Sequence, residues 1–174
     1  MTGNQTYAPN LRFPEFRDGW QVSRFDEVFN INAGGDISSK HVKKRPDEAF
    51  RYPVYSNSVG EGLYGYSDIF KEVPDAITVT GRGSLGLAVA RHERFYPIVR
   101  LLVLRPKLPG NINFFENAIN RRLFFVESTG VPQLTAPQIG GYKMAMPTND
   151  EQQKISEFLI LYFLVKTSIT SGLN

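Results

Sequence analysis

The chain contains no cysteine, so disulfides, thiolate nucleophiles and cysteine-based zinc sites are excluded. Histidine is almost as scarce. His41 and His92 stand far apart in the sequence and form no metal-ligand spacing. Long apolar runs are missing too. The longest, Phe158 to Val165, has eight residues, whereas a membrane-spanning helix needs ~20. The first twenty residues are polar and carry Pro9 and Pro14, so no secretory leader is read there. A cytoplasmic protein without a membrane partner is expected.

Catalytic signatures are lacking as well. Methylation of adenine calls for a loop of the Asn-Pro-Pro-Tyr kind, and the chain has no Pro-Pro pair. The common metal-dependent nucleases place Asp or Glu two residues before Lys, and neither spacing occurs. There is no Walker A sequence for ATP and no Gly-x-Ser-x-Gly elbow. Gly81-Arg82-Gly83-Ser84-Leu85-Gly86 does fit G-x-G-x-x-G. A dinucleotide site, however, needs a helix to begin there and an acidic residue ~20 positions on. Leu87 to Ala90 reads as strand, and no Asp or Glu lies between Glu93 and Glu116. The glycines are read as a turn between strands. The chain is not expected to be an enzyme.

What is present suits a single globular domain. The chain has 174 residues, of which 41% are hydrophobic and 21% charged, so it can fold around a core and disorder is not the default. Thirteen Phe, eight Tyr, fifteen Gly and eleven Pro favour short strands and turns over a helical bundle. A net charge of +3 permits a polyanionic partner without demanding one.

The expected fold is α/β or α+β, with a mixed, mostly antiparallel sheet system and a few helices. Residues 1–10 read as a flexible arm. Ser23 is a candidate cap for a short helix over Arg24–Phe29, with Asp26 at the capping-box position. Strands are expected at Arg51–Tyr55, Leu63–Tyr66, Ala76–Thr80, Leu87–Ala90 and Ile98–Leu104, and a helix over Asn113–Val126 capped by Asn113 and Glu116. That helix puts Phe115, Ala118, Ile119 and Arg122 on one face. After a loop from Glu127 to Pro137, Ile139–Met146 reads as a final strand. Thr148 and Glu151 have capping-box spacing for a last helix starting near Asn149, with Ile155, Phe158, Leu159 and Tyr162 along one stripe. The Lys40-His41-Val42-Lys43-Lys44-Arg45 run reads either as a solvated loop or as a phosphate-contacting one.

Five phrases, taken together and in order, resemble the specificity subunit of type I restriction–modification systems. They are Leu11-Arg12-Phe13-Pro14-Glu15-Phe16 with Trp20, Tyr52-Pro53-Val54-Tyr55-Ser56, Thr78-Val79-Thr80-Gly81-Arg82-Gly83-Ser84-Leu85-Gly86, Gln133-Leu134-Thr135 followed by Met146-Pro147, and Glu151-Gln152-Gln153-Lys154-Ile155. The resemblance covers roughly residues 11–159. It implies a DNA target recognition domain over 11–147, followed over 148–174 by the start of the spacer helix through which family members pair. It further implies duplex DNA as ligand, recognised as one half of a bipartite site. Methyltransferase and restriction–translocase subunits are the implied partners, carrying S-adenosylmethionine, ATP and magnesium, and this chain itself carries no cofactor. The C-terminus departs from the family pattern: Phe158 to Val165 is apolar on every face, where the family helix is polar and amphipathic. A second copy covering that helix, giving a homodimer, is one consequence.

Reading bases needs Arg for guanine and Asn or Gln for adenine. The candidate DNA-binding residues are Lys40, Lys43, Lys44, Arg45, Ser56, Asn57, Ser58, Arg82, Ser84, Arg91, His92, Gln133 and Thr135. The lysines are expected mainly at phosphates, and Arg82 is the foremost base contact, its alternative being an ion pair with Glu93. Two rival readings stand beside this one. Trp20, Tyr55, Tyr64 and Tyr66 suit a carbohydrate platform on a β-rich binding module, and a hydrolase triad is compatible with the composition.

Overall fold

The computed structural model describes residues 6–57, 62–125 and 132–171. In chain order, β1 (Thr6–Tyr7) and β2 (Trp20–Arg24) lead into a single helical turn, α1 (Phe25–Val28), and β3 (Phe29–Ala33). β4 (Val42–Lys43), β5 (Tyr52–Tyr55) and β6 (Leu63–Ser67) follow. β7 (Ala76–Thr80), β8 (Ala88–Arg91), β9 (Tyr96–Pro97) and β10 (Leu101–Pro106) precede α2 (Ile112–Asn120). α3 (Ala136–Gly140), β11 (Lys143–Met146) and α4 (Asn149–Ser171) complete the described chain.

β7 is buried at every one of its five positions, which explains its place inside a sheet of order β3-β10-β7-β8. Alternation along the neighbouring β10 divides the interior in two. Leu102 and Leu104 point with Ile77 and Val79 into a core shared with Phe25, Phe29 and the α2 residues Ile112, Phe115 and Ile119. Leu101 and Val103 point the other way, against Tyr55, Ala76 and Phe95. Thus the central sheet has a helix on one face and the second sheet, β4-β6-β5-β9, on the other. The third sheet, β1-β2-β11, ties the first strands of the chain to the strand that precedes α4. Most pairings are antiparallel, with β5 and β9 parallel, so the sheet system is mixed and mostly antiparallel as expected.

Several expected boundaries move, each for a local reason. Thr6 and Tyr7 belong to no flexible arm but pair with Gln21 and Trp20. Ser23 is not a cap: it lies in β2 opposite Met144. The turn at α1 is closed instead by Glu27, whose carboxylate accepts the Arg24 backbone N–H at 2.8 Å, while Asp26 pairs with the Arg24 guanidinium. α2 starts earlier, at Ile112, because Asn111 Oδ1 accepts the Phe114 N–H at 2.9 Å. It also stops at Asn120, whose amide is drawn onto β8, accepting from Ala88 N at 2.8 Å and donating to Ala88 O at 2.9 Å. Arg122 and Leu123 are consequently exposed rather than on the core face, and Val126 lies outside the described residues.

The expected strand Ile139–Met146 is divided. Thr135 and Gln138 form a reciprocal capping box, with Thr135 N donating to Gln138 Oε1 at 2.9 Å, and this starts α3 before β11 begins. The signal, Thr-x-x-Gln with Pro137 between, was present in the sequence. β10 begins at Leu101 rather than Ile98 because Arg100 has φ +66°, which breaks the extended run.

α4 starts at Asn149 as expected, and the Glu151 carboxylate turns to Arg12. It is fully buried and accepts two bonds from Arg12, Nε at 2.7 Å and Nη2 at 2.6 Å. Arg12 also donates to Asp18 O. The guanidinium is thereby held with a pKa above its ordinary value, chiefly by the Glu151 hydrogen bonds. Phe13 meets Phe158 edge to face at 5.8 Å. The N-terminal phrase and the Glu151 phrase, distant in sequence, are one device fixing the direction in which α4 leaves the domain. Among the described residues no helix is long and apolar enough to cross a membrane.

Candidate nucleic-acid interface

The site is organised around Gly81. A Cβ there would lie 2.5 Å from Arg100 O and 2.8 Å from Leu134 O, so only glycine lets three chain segments cross at this point. Leu134 N donates to Gly81 O at 2.9 Å. Asn57 closes the crossing with both ends of its amide: Oδ1 accepts from Gly81 N at 2.7 Å and Nδ2 donates to Val99 O at 2.8 Å. The loops carrying Asn57, Arg82, Arg100 and Gln133 are thus brought together at one end of β7.

The turn that displays Arg82 is firmly built. Thr80 and Leu87 bond across its base, Gly86 N donates to Thr80 O, and the Thr80 hydroxyl donates to Ser84 O. Gly83, at φ +69°, and Gly86, at φ +83°, take the left-handed conformations the turn needs. Gly83 has open space around it and Ser84 is exposed. Arg82 is half-buried, and its Nε has no hydrogen-bond partner. The alternative ion pair with Glu93 does not form, since that carboxylate accepts the Tyr55 hydroxyl at 2.8 Å.

The basic run lies beside this cluster. Ser39–His41 form a 3-10 turn leading into β4. Lys43 pairs with Asp47 at 2.6 Å and sits over the Phe50 ring, while Lys44 donates to Tyr64 O and sits over the Tyr64 ring. Lys40 and Arg45 are exposed without an ion pair among the described residues. A cleft of about 280 Å³ between Lys43, Lys44 and Tyr64 on one side and Ile98 and Val99 on the other makes the run continuous with the loop crossing.

Other candidates fall elsewhere. Arg91 is 3% exposed, bonded through Nε to Thr78 Oγ1 at 3.0 Å and stacked 3.5 Å over the Tyr55 ring. It is an interior cation and is withdrawn from the interface. Burial, then the bond to Glu93, pushes the Tyr55 phenol up to about 12. The same burial removes Tyr55 from any sugar platform. His92 follows Arg91, which is opposite Ala76, so it lies at the far end of β7, roughly 15 Å from Gly81 at strand spacing. It bonds to Asn113 and lines a separate open groove with Asp75, Arg105 and Lys107. The Ser56 N–H and hydroxyl both turn to Gly62 O, and Thr135 serves the α3 cap. Ser58 lies outside the described residues. Gln133 remains half-exposed in the cluster. Arg100 was not read from the sequence: it occupies a left-handed position where a glycine is the usual signal.

The comparisons agree with this architecture. The pattern of the type I restriction modification DNA specificity domain matches residues 17–174. The chain is similar, at 32% identity over 167 residues, to a protein of Mycoplasma pneumoniae named as type I specificity subunit S.MpnORF507P, covering 93% of this chain and 46% of that one. A second from the same organism, S.MpnORF89P, is 29% identical over 82% of this chain and 43% of its own length. Among solved structures, the type I restriction–modification S subunit from M. genitalium superposes with a TM-score of 0.72 at 16% identity, covering 94% of this chain and 44% of that one. The HsdS subunit from Thermoanaerobacter tengcongensis gives 0.63 at 14% identity, over 95% and 42%. The chain belongs to the type I restriction modification DNA specificity domain family. It spans less than half the length of these relatives.

Proposed function

We propose that this chain reads one half of a bipartite duplex-DNA site and thereby addresses a type I restriction–modification complex to it. The observation that carries the reading is the loop crossing at Gly81. In a chain of this family, it gathers Arg82, Arg100 and Gln133 beside the 40–45 basic run. Rigid loops aimed from a packed sheet are what base reading requires: side chains fixed in direction, with Arg matched to guanine N7 and O6 and Gln to adenine. Lys40, Lys43, Lys44 and Arg45 supply phosphate contacts that position the domain without informing it. A carbohydrate platform is disfavoured because Tyr55 is interior and the Lys44 ammonium sits over the Tyr64 ring.

In this reading the chain performs no chemistry. The modification subunit binds S-adenosylmethionine and extrudes the adenine for methylation, and the restriction–translocase subunit uses ATP and magnesium. α4 is the docking element. A second copy of this chain, covering the apolar turns from Phe158 onward, supplies the other recognition unit. The test is to co-express the chain with its methyltransferase subunit and map methylated adenines across a genome. One bipartite motif with a fixed spacer is expected. Methylation without sequence preference, or none in an assembled complex, would sink the reading.

A further inference from the structure

We propose that Arg100 is a second base-reading residue of this interface, set beside Arg82 to take a guanine edge in the major groove. The inference rests on the DNA-reading function proposed above.

Three observations converge on it. First, Arg100 holds φ +66°, a conformation unfavourable for any residue with a Cβ, at a position where glycine would be unstrained. Second, the backbone that carries it is fixed from several sides. Ile98 N donates to Tyr55 O at 2.8 Å, Gly34 N to Leu101 O at 2.7 Å and Asn57 Nδ2 to Val99 O at 2.8 Å, while Arg100 O rests against Gly81. The loop is therefore rigid although it is strained, and the strain is confined to the one residue with a long cationic side chain. Third, that side chain is half-exposed and has no hydrogen bond, ion pair or ring contact among the described residues. Arg105 and Arg91, on the neighbouring strands, are by contrast fully engaged. The adjacent Arg82 keeps a buried Nε without a partner. Two guanidinia therefore lie on adjoining turns and no carboxylate among the described residues pairs with either. Such a pair lacks acceptors, and guanine N7 and O6 offer a bidentate set. Asn57 is then a positioning residue: its amide is used up in locking the two arginine turns together, and it is not itself a reader.

The experiment uses the chain assembled with its methyltransferase subunit, comparing the parent with Arg100→Gly and Arg100→Lys. Affinity is measured on the cognate duplex and on a set of single-base-changed duplexes, and the thermal midpoint on each protein. Arg100→Gly should keep or raise the midpoint, because it relieves the backbone. Its cognate affinity should fall about 10- to 100-fold, with preference lost at one G·C pair. Arg100→Lys should keep general DNA binding but lose preference at that same pair. Unchanged cognate affinity and preference in Arg100→Gly overturns the proposal. So does an affinity loss in Arg100→Gly that is spread evenly over all duplexes with preference kept, which would make the contact a phosphate. A lowered midpoint in Arg100→Gly would assign the side chain to the fold and overturn it as well. A parent complex with no sequence preference overturns the functional reading itself.

Discussion

The first two turns of α4 and the turns that follow run against the ordinary division of polar and apolar residues. Near its start the helix buries Glu151, Gln152 and Ser156. Further along, Phe158, Ile160, Leu161, Tyr162, Phe163, Leu164 and Val165 are all about half or more exposed. The buried half is specified by partners. Arg12 takes the Glu151 carboxylate; Gln152 Oε1 accepts from Asn111 N at 3.0 Å and its Nε2 donates to Pro147 O at 3.1 Å; Ser156 donates to Asn111 Oδ1 at 2.8 Å. Such contacts fix direction more than they add stability. The exposed half is the reverse, apolar area with no direction imposed on it. Polar residues decide where this helix points, and apolar residues make up the surface it leaves exposed.

The sharpest way to break this comparison is at Arg12. Arg12→Met leaves a fully buried Glu151 carboxylate without a counter-charge, and the thermal midpoint should drop by on the order of 10 °C. Adding Glu151→Leu should recover most of that loss, because two apolar residues need no pairing. A double variant no more stable than the single one would show that the ion pair is not what anchors the helix. Next in size is association. Leu161→Ser with Leu164→Ser should weaken self-association at least 100-fold, since each apolar side chain removed from an interface forfeits ~1.5–3 kcal/mol. The midpoint at low concentration should not change. Sedimentation that finds the parent strictly monomeric at high concentration would end the second-copy proposal. The smallest effect belongs to Ser156→Ala. Losing its bond to Asn111 should cost about 1 kcal/mol in denaturant unfolding and leave association untouched. A change in association instead would mean that the two halves are coupled rather than separate.

The candidate site was legible only in part. Arg82 and Arg91 look alike in the sequence, each a cation at the end of a short apolar strand. One stands half-buried in a glycine turn without an ion pair among the described residues; the other is absorbed by Thr78 and Tyr55. Local pattern cannot separate them, because the difference lies in what packs opposite, from residues more than ten positions away. Asn57 carries an amide suited to reading adenine, and the fold uses that amide twice on backbone instead. Arg100 left no signal, since positive φ at a non-glycine residue is imposed by the surroundings.

The sequence by itself determined three of the four strands of the central sheet, β7, β8 and β10, to within a few residues, the start of α4 and the family, but not β3, whose residues read as the end of a helix. Period-two burial, turn glycines and capping residues act within a few positions, and ordered phrases survive as text. Tertiary structure alone decided that the Arg12 and Glu151 phrases form one ion pair, that Gly81 is the crossing of three segments, and which arginines face outward. Each of these depends on chain segments that meet only when the sheets have closed. The choice between a paired and an unpaired cation is made there by desolvation and by the partners the packing brings within reach.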